Sequence, residues 1–180
     1  MDLSSLLHDI TSRKGWIVGS CVYNTIIRRE RNSSSISVLI PFFAHAGMVD
    51  FLQKKYCSIK TEIEYDIASS IAQTDMEIED VRLSICSSEG YDHFSIPIFD
   101  VDSLCWDGED LFSWYFYDGE NDIYDADSII RRAQRKEAIA LVEEWEEVDE
   151  RLVHHYNRFV HTGWKILNER SAMKLFDESY

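Results

Sequence analysis

The segment PIFDVDSLCWDGEDLFSWYFYDGENDIYDAD, residues 97–127, interleaves acidic side chains with aromatic ones. Between Arg82 and Arg131 there are twelve Asp or Glu residues, ten aromatic residues and no Lys or Arg. Residues 83–130 therefore carry a charge of −12 out of the total of −15, and the two flanking parts of the chain are nearly neutral. The acidity of the protein is local, and the rest of the chain is arranged around it.

The length and composition predict one folded domain over residues 1–180. A chain of 180 residues with 45% hydrophobic and 13% aromatic residues can bury a sizeable core. The four cysteines are widely spaced and form no C-x-x-C pair, so we expect buried free thiols in a reducing compartment. The N-terminus lacks a basic signal region, and no apolar run approaches 18 residues. A soluble, cytoplasmic protein that does not bind membranes is predicted, and no motif calls for a cofactor.

The hydrophobic periodicity predicts an α+β fold in which an antiparallel sheet is flanked by an N-terminal helix and long C-terminal helices. Leu3, Leu6, Leu7 and Ile10 have helical spacing behind Asp2. A second short helix is predicted over 48–56. Residues 59–72 fit both a helix and a strand, and we favour the helix. The predicted strands are 16–27, 36–43, 81–87, 94–99 and 111–118.

An apolar stripe runs through the C-terminal part of the chain, from Leu141 through Trp145 and Leu152 to Val160. Its steps of three and four predict a helix within residues 127–161. A single helix of that length would extend about 50 Å, more than a compact domain of this size. We therefore expect a break before Ala138 or near Gly163.

The acidic and aromatic segment is the candidate functional surface. In a strand over 114–117, Trp114 and Phe116 would face the core while Tyr115 and Tyr117 face outwards. Aromatic rings among carboxylates suit an interface with a basic protein. The alternative is a buried strand followed by solvated acidic loops. The predicted partner-binding residues are Asp107, Glu109, Asp110, Tyr115, Tyr117, Asp118, Glu120, Asp122, Tyr124 and Asp125.

The same segment offers two chemical alternatives. Pairs such as Asp100 and Asp102 are typical ligands for divalent cations, but their spacing does not match the twelve-residue calcium loop. Carboxylate pairs also perform acid and base catalysis. His93 lies near Ser95 and Cys105 in sequence, without a recognisable nucleophile motif. We therefore predict no metal site and no enzymatic activity.

A pI near 4.7 disfavours direct binding of nucleic acid and favours a basic protein partner. In size, acidity and lack of catalytic motifs, the chain resembles bacterial immunity proteins. That resemblance implies an intracellular inhibitor, or antitoxin, which neutralises a basic toxin or nuclease by covering its active site. Two alternatives stay open: a nucleic-acid mimic that blocks restriction or defence enzymes, and an enzyme that uses carboxylates or a metal.

Overall fold

A computed structural model describes residues 2–30, 34–57, 59–66, 71–87, 97–114, 125–141 and 150–168. The chain divides into two compact units, the first formed by Met1–Ser95 with Cys105–Phe112 and the second by Ile96–Leu104 with Ser113–Tyr180. Both contain helices and strands, which confirms the predicted α+β class. The single domain predicted from length stays a prediction.

A seven-stranded sheet with the order β3-β4-β5-β2-β1-β6-β7 dominates the first unit. Neighbouring strands whose registers are defined are antiparallel, except that β2 and β5 are parallel, with Ser35 opposite Arg82 and Ile40 opposite Ser87. The predicted antiparallel sheet is therefore observed with one parallel pair at its centre. The strands are β1 (Trp16–Val18), β2 (Ser35–Ile40), β3 (Ile59–Asp66), β4 (Ile71–Ile78), β5 (Val81–Ser87), β6 (Leu104–Trp106) and β7 (Leu111–Ser113).

The described residues of this unit form two α-helices: α1 (Leu3–Thr11) and α2 (Phe42–Tyr56). The carboxylate of Asp2 caps α1 by accepting a hydrogen bond from Ser4 N, and Pro41 precedes α2. Helix α1 packs against β1, whereas α2 packs against β4 and β5. One face of the sheet is buried here because β2, β4 and β5 alternate apolar and polar residues. Its buried residues include Ile36, Val38, Met76, Ile78, Leu83 and Ile85.

Three segments of this unit differ from their sequence predictions. The strand predicted over 36–43 ends at Ile40, and Phe42 and Phe43 begin helix α2. The strand predicted over 16–27 ends at Val18, because Gly19 turns the backbone with a φ of +69°, and Val22–Ile27 then form a π-helix. Val22 and Tyr23 are buried in that helix, so their packing outweighs their preference for strands. The helix favoured over 59–72 is wrong, because Ile59–Asp66 pair with β4 as strand β3.

The described part of the second unit contains two α-helices, α3 (Ala126–Gln134) and α4 (Glu150–His161), and a short parallel pair formed by β8 (Glu137–Ala138) and β9 (Lys165–Ile166). A 3₁₀ turn spans Asp100–Ser103. Helix α3 ends at Gln134, so the predicted break before Ala138 is confirmed. Of the predicted strand 94–99, only Phe99 pairs in the described residues, in an isolated bridge with Ala140. Residues 142–149, which include Trp145, and 115–118 of the last predicted strand lie outside the described part.

Phe99 and Phe159 form the centre of the second unit's core. Phe99 is fully buried, and its ring stacks on that of Phe159 with centroids 4.3 Å apart. Tyr156 and Trp164 extend the cluster, with Trp164 packed against Phe159 at 4.5 Å. The stripe that predicted the C-terminal helix therefore faces an aromatic core over α4. No helix in the described ranges is long and apolar enough to cross a membrane.

The carboxylate of Asp102 binds His155 of α4, with an Oδ2 to Nε2 distance of 3.1 Å. Burial lowers the pKa of His155, but the hydrogen bond and the charge of Asp102 outweigh it and leave the pKa raised. The folded protein therefore binds this proton more tightly than the unfolded chain does. The resulting stabilisation is fully present below the unfolded pKa and is lost as the pH rises through the folded pKa.

A His155→Gln variant should accordingly be less stable than the parent at about pH 5.5, and the difference should shrink towards about pH 8.5. The pair is partly exposed, so we expect it to contribute less than about 1 kcal/mol. Urea unfolding of both proteins at the two pH values measures the difference. A difference that grows with pH would show that the protonated imidazole is not the stabilising form.

Candidate functional site

The unburied face of the sheet carries polar side chains on three neighbouring strands, β4, β5 and β2. Ser37 of β2 lies opposite Ser84 of β5, and Ser84 lies opposite Asp75 of β4. Residues that are directly opposite each other in a sheet project to the same side. One such row holds Ser37, Ser84 and Asp75, and the next holds Ser35, Arg82 and Glu77. We call these six residues the polar face.

The polar face is accessible and contains a cation. Ser35 and Ser37 are exposed, although β2 is a central strand. The guanidinium of Arg82 lies 3.9 Å from the carboxylate of Glu77, and both side chains are about half exposed or more. A pair at that distance in water is weak. Arg82 can therefore turn its planar donors towards an anionic ligand without losing a strong interaction.

Asp75 carries an unsatisfied acceptor on the β4 side of the polar face. Its Oδ1 is buried and has no hydrogen-bond partner among the described residues. A buried carboxylate oxygen without a donor is costly, so it calls for a water molecule or a ligand N–H or O–H group. Together with the hydroxyl of Ser84 opposite it and that of Ser37 one strand further on, Asp75 can recognise the hydroxyl or amino groups of a polar ligand.

Cys86 lies two residues beyond Ser84 on the same strand. Burial raises the pKa of its thiol to about 11, while the hydrogen bond of Ser84 lowers it and the charge of Asp75 raises it further. The thiol is therefore neutral near pH 7. Because the thiolate is the nucleophilic form, Cys86 is not an activated nucleophile.

The turn after β1 opens the edge of the sheet beside Ser35. Val18 lies opposite Ser37, so Gly19 follows at the edge where β2 begins. Gly19 has a φ of +69°, and no heavy atom lies within 4 Å of the position that a Cβ would occupy. The backbone therefore borders open space here, next to one end of the polar face.

The acidic residues predicted from the sequence are placed differently. Asp107 closes a turn, in which its Oδ1 accepts hydrogen bonds from the amides of Glu109 (2.9 Å) and Asp110 (2.8 Å). Asp125 caps α3 by accepting from Ser128 N at 2.8 Å. These contacts are local. Tyr115, Tyr117, Asp118, Glu120, Asp122 and Tyr124 lie outside the described residues, so a contact surface formed by the predicted residues stays a prediction.

Asp100 and Asp102, which suggested a cation site, turn to different partners. The carboxylate of Asp100 is buried and accepts from Arg132 Nε at 2.7 Å, whereas Asp102 binds His155. Burial raises the pKa of Asp100, against the lowering effect of the Ile139 amide and of Arg132. These two carboxylates therefore serve the packing of the second unit.

The polar face was not predicted from the sequence. The alternation in SISVLI and in VRLSIC does place each serine on the polar side of its own strand. The juxtaposition of Ser37 and Ser84 depends on the parallel pairing of β2 with β5, whose paired residues are 47 positions apart in the sequence. No local pattern in the sequence specifies that pairing.

No protein-family model and no curated protein matches the chain. Several solved structures share its fold. A CCA-adding enzyme in complex with CTP aligns with 99% of the chain at a TM-score of 0.58 and 12% identity. A complex of a CCA-adding enzyme with ATP aligns with 99% of the chain at a TM-score of 0.57 and 14% identity. A tRNA nucleotidyltransferase complexed with a primer tRNA and an incoming ATP analog aligns with 96% of the chain at a TM-score of 0.57 and 14% identity. The chain spans 43%, 43% and 49% of these three proteins, respectively.

These structures correct the functional predictions made from charge. Proteins of this fold include enzymes solved with CTP, ATP or a primer tRNA, and none of the three is an inhibitor of a toxin. The immunity-type inhibitor or antitoxin, the absence of enzymatic function, and the basic protein partner with no nucleic-acid binding are therefore wrong. Their common basis was the net charge, which bears on association and solubility but not on fold. The enzyme class, kept as an alternative, is the class to which the structural neighbours belong.

Proposed function

We propose that the chain binds a ribonucleotide on the polar face of its seven-stranded sheet. The observation that carries the proposal is the row of Ser37, Ser84 and Asp75 across the neighbouring strands β2, β5 and β4, in which Asp75 has a buried, unsatisfied oxygen. The shared fold supports the ligand class, since proteins of this fold were solved with CTP and ATP. A cytoplasmic location, as predicted from the sequence, suits such a ligand.

The groups on this surface match the two chemical parts of a nucleotide. Arg82 is suited to the phosphates, because its planar guanidinium can donate two parallel hydrogen bonds to an anion. The hydroxyls of Ser37 and Ser84 can donate or accept, and Asp75 can only accept while it is ionised. Ribose hydroxyls are donors and acceptors, so they complement Asp75 and the two serines. The bound nucleotide thus extends from Arg82 towards Asp75.

The number of cations on the polar face indicates the size of the ligand. Arg82 is the one cation among the six residues of this surface. One guanidinium suits the phosphates of one nucleotide. We therefore propose a free nucleotide or a single terminal nucleotide as the ligand.

Nucleotidyl transfer in polymerases uses two divalent metal ions, which carboxylates hold about 4 Å apart. Among the residues that the structure describes, no three His, Cys, Asp or Glu side chains lie close enough together to hold a metal ion. Ser35 and Ser37 occupy the two β2 positions of the polar face. Ser84 occupies the β5 position between Ser37 and Asp75. The described residues therefore do not fit a two-metal site, and the binding proposed here depends on hydrogen bonds and on Arg82.

Arg82→Gln should weaken the binding of ATP or CTP about tenfold, because a charge-assisted hydrogen bond contributes about 1.5–3 kcal/mol. Lys54→Gln is the matched control. Lys54 is an equally exposed cation, paired with Asp50 on α2, and should leave the affinity unchanged. Isothermal titration calorimetry with each nucleotide measures both variants. Equal losses in the two variants would mean that only the net charge of the protein matters.

The same titration in EDTA tests whether nucleotide binding requires a divalent metal ion. We expect the affinity for the nucleotide to change less than about threefold between EDTA and excess Mg²⁺, since the proposed contacts are made by the protein. A parallel incubation with labelled nucleotides, Mg²⁺ and tRNA measures whether a nucleotide is added to the RNA. Binding that requires Mg²⁺ would contradict the contacts proposed here and would point to carboxylates outside the described residues.

A further inference from the structure

A cavity of about 380 Å³ lies in the first unit, at the end of β2 that is farther from Ser35. Its volume falls in the range of small-molecule sites, which is about 300–1,000 Å³. It is separate from the polar face, since it shares none of that surface's six residues. The residues that line it include Thr11, Lys14, Trp16, Leu39, Pro41 and Asp107.

Trp16 gives the cavity an aromatic wall. Its side chain is 39% exposed, which is unusual for so large an apolar group. The ring makes an edge-to-face contact with Phe112, with centroids 5.2 Å apart and an interplanar angle of 84°. That contact fixes the indole, while Leu39 and Pro41 add apolar surface. A planar ring of a ligand can stack on such a wall.

Two opposite charges border this apolar surface. Lys14 has no ion-pair partner among the described residues, so its ammonium is available for an anion. Asp107 uses Oδ1 to accept from the amides of Glu109 and Asp110, which orients the carboxylate and leaves Oδ2 as an acceptor. The same two N–H groups lower the pKa of Asp107, so the carboxylate stays ionised.

Gly108 allows the turn that carries Asp107 to lie against α1. Its φ is +112°, and a Cβ at this position would lie 2.8 Å from Thr11 Oγ1. Any larger residue would push the turn away from the helix. The side of the cavity that holds Asp107 is therefore fixed by the backbone rather than formed when a ligand binds.

We propose that this cavity binds a purine ribonucleoside monophosphate that carries an exocyclic amine, such as AMP. The purine ring stacks on Trp16 above Leu39 and Pro41, the amine donates a hydrogen bond to Asp107, and the phosphate pairs with Lys14. A planar heterocycle with an N–H donor at one end and an anionic group at the other complements all three features. The proposal does not rest on nucleotide binding at the polar face.

The test compares AMP with purine riboside 5′-monophosphate, which lacks only the amine. Calorimetric titrations are made in the Arg82→Gln background, so that the polar face does not dominate the signal. We expect AMP to bind about tenfold more tightly than the analogue, because a site built to receive a donor discriminates against a ligand without one.

Asp107→Asn should remove this preference. The Asn carbonyl can still accept from the two turn amides, but its NH₂ group faces the amine of AMP as a second donor. The affinity for AMP should fall about tenfold, and the affinity for the analogue should stay within about threefold. Asp110→Asn in the same turn is the matched control and should keep the preference. Circular dichroism verifies that each variant is folded.

Three results would overturn the proposal. The first is no AMP binding below about 1 mM in the Arg82→Gln background. The second is equal affinity of that protein for AMP and the analogue. The third is a preference for AMP that persists in Asp107→Asn. Failure at this cavity leaves the Arg82 comparison at the polar face unaffected, so the two proposals fail separately.

Discussion

Phe99→Ala should destabilise the protein by about 3–5 kcal/mol, because it opens a cavity at the centre of the second unit's core. Phe99 is fully buried, and it stacks on Phe159 at 4.3 Å. The free energy of unfolding in urea measures the loss. Phe43→Ala removes the same side chain from a position that is 82% exposed and should change the stability by less than about 0.5 kcal/mol.

Phe159→Ala and the double variant complete this comparison. The two rings are in contact, so their effects should be less than additive, with an interaction energy of about 0.5–1.5 kcal/mol from the stacked pair. Additive losses would indicate that the two rings belong to separate cores. A loss below about 1 kcal/mol in Phe99→Ala would contradict the packing described here.

Asp100→Ala should cost about 3–5 kcal/mol, because it breaks a buried ion pair and leaves backbone donors unsatisfied. Asp100 is 1% exposed, and its Oδ2 receives hydrogen bonds from Arg132 Nε and Nη2 at 2.7 and 2.6 Å. Its Oδ1 accepts from the amides of Val101 and Ile139. The carboxylate thus joins the 3₁₀ turn, α3 and the chain that follows β8.

Asp100→Asn separates the contribution of the ion pair from that of the backbone hydrogen bonds. The side-chain amide of this variant can still accept hydrogen bonds from the backbone of Val101 and Ile139, but it no longer balances the charge of Arg132. We therefore expect Asp100→Asn to lose less stability than Asp100→Ala. Asp110→Ala, at an exposed position, should be close to neutral. The free energies of unfolding of the three variants in urea give the order of their stabilities. An Asp100→Ala protein as stable as the parent would mean that desolvating the pair costs as much as the pair contributes.

Hydrophobic periodicity predicted the elements that bury one face. Helix α1 and strand β5 lie where the sequence placed them, since each follows from local spacing. Strand β2 begins within one residue of its predicted start but ends at Ile40, before the predicted end at residue 43. The break after α3 was predicted from length alone. Such features are set by residues that are close together in the sequence, so they can be predicted from a single sequence.

The remaining errors come from interactions between distant segments. Residues 59–66 satisfied both a helical and a strand pattern, and only pairing with β4 decided between them. The segment 22–27 consists of strand-favouring residues, but burial of Val22 and Tyr23 in a helix overrode that preference. The functional prediction followed the most charged segment, whereas the polar face is built from serines whose proximity depends on the parallel pairing of β2 and β5.

The most direct test of nucleotide binding on the polar face is a titration of the ¹⁵N-labelled protein with ATP, followed by backbone amide NMR shifts. Binding as proposed should shift the amides of Ser37, Asp75, Arg82 and Ser84 together and saturably, and these shifts should weaken in Arg82→Gln but not in Lys54→Gln. Saturable shifts that spare all four amides, or no shifts at millimolar ATP, would contradict the central claim.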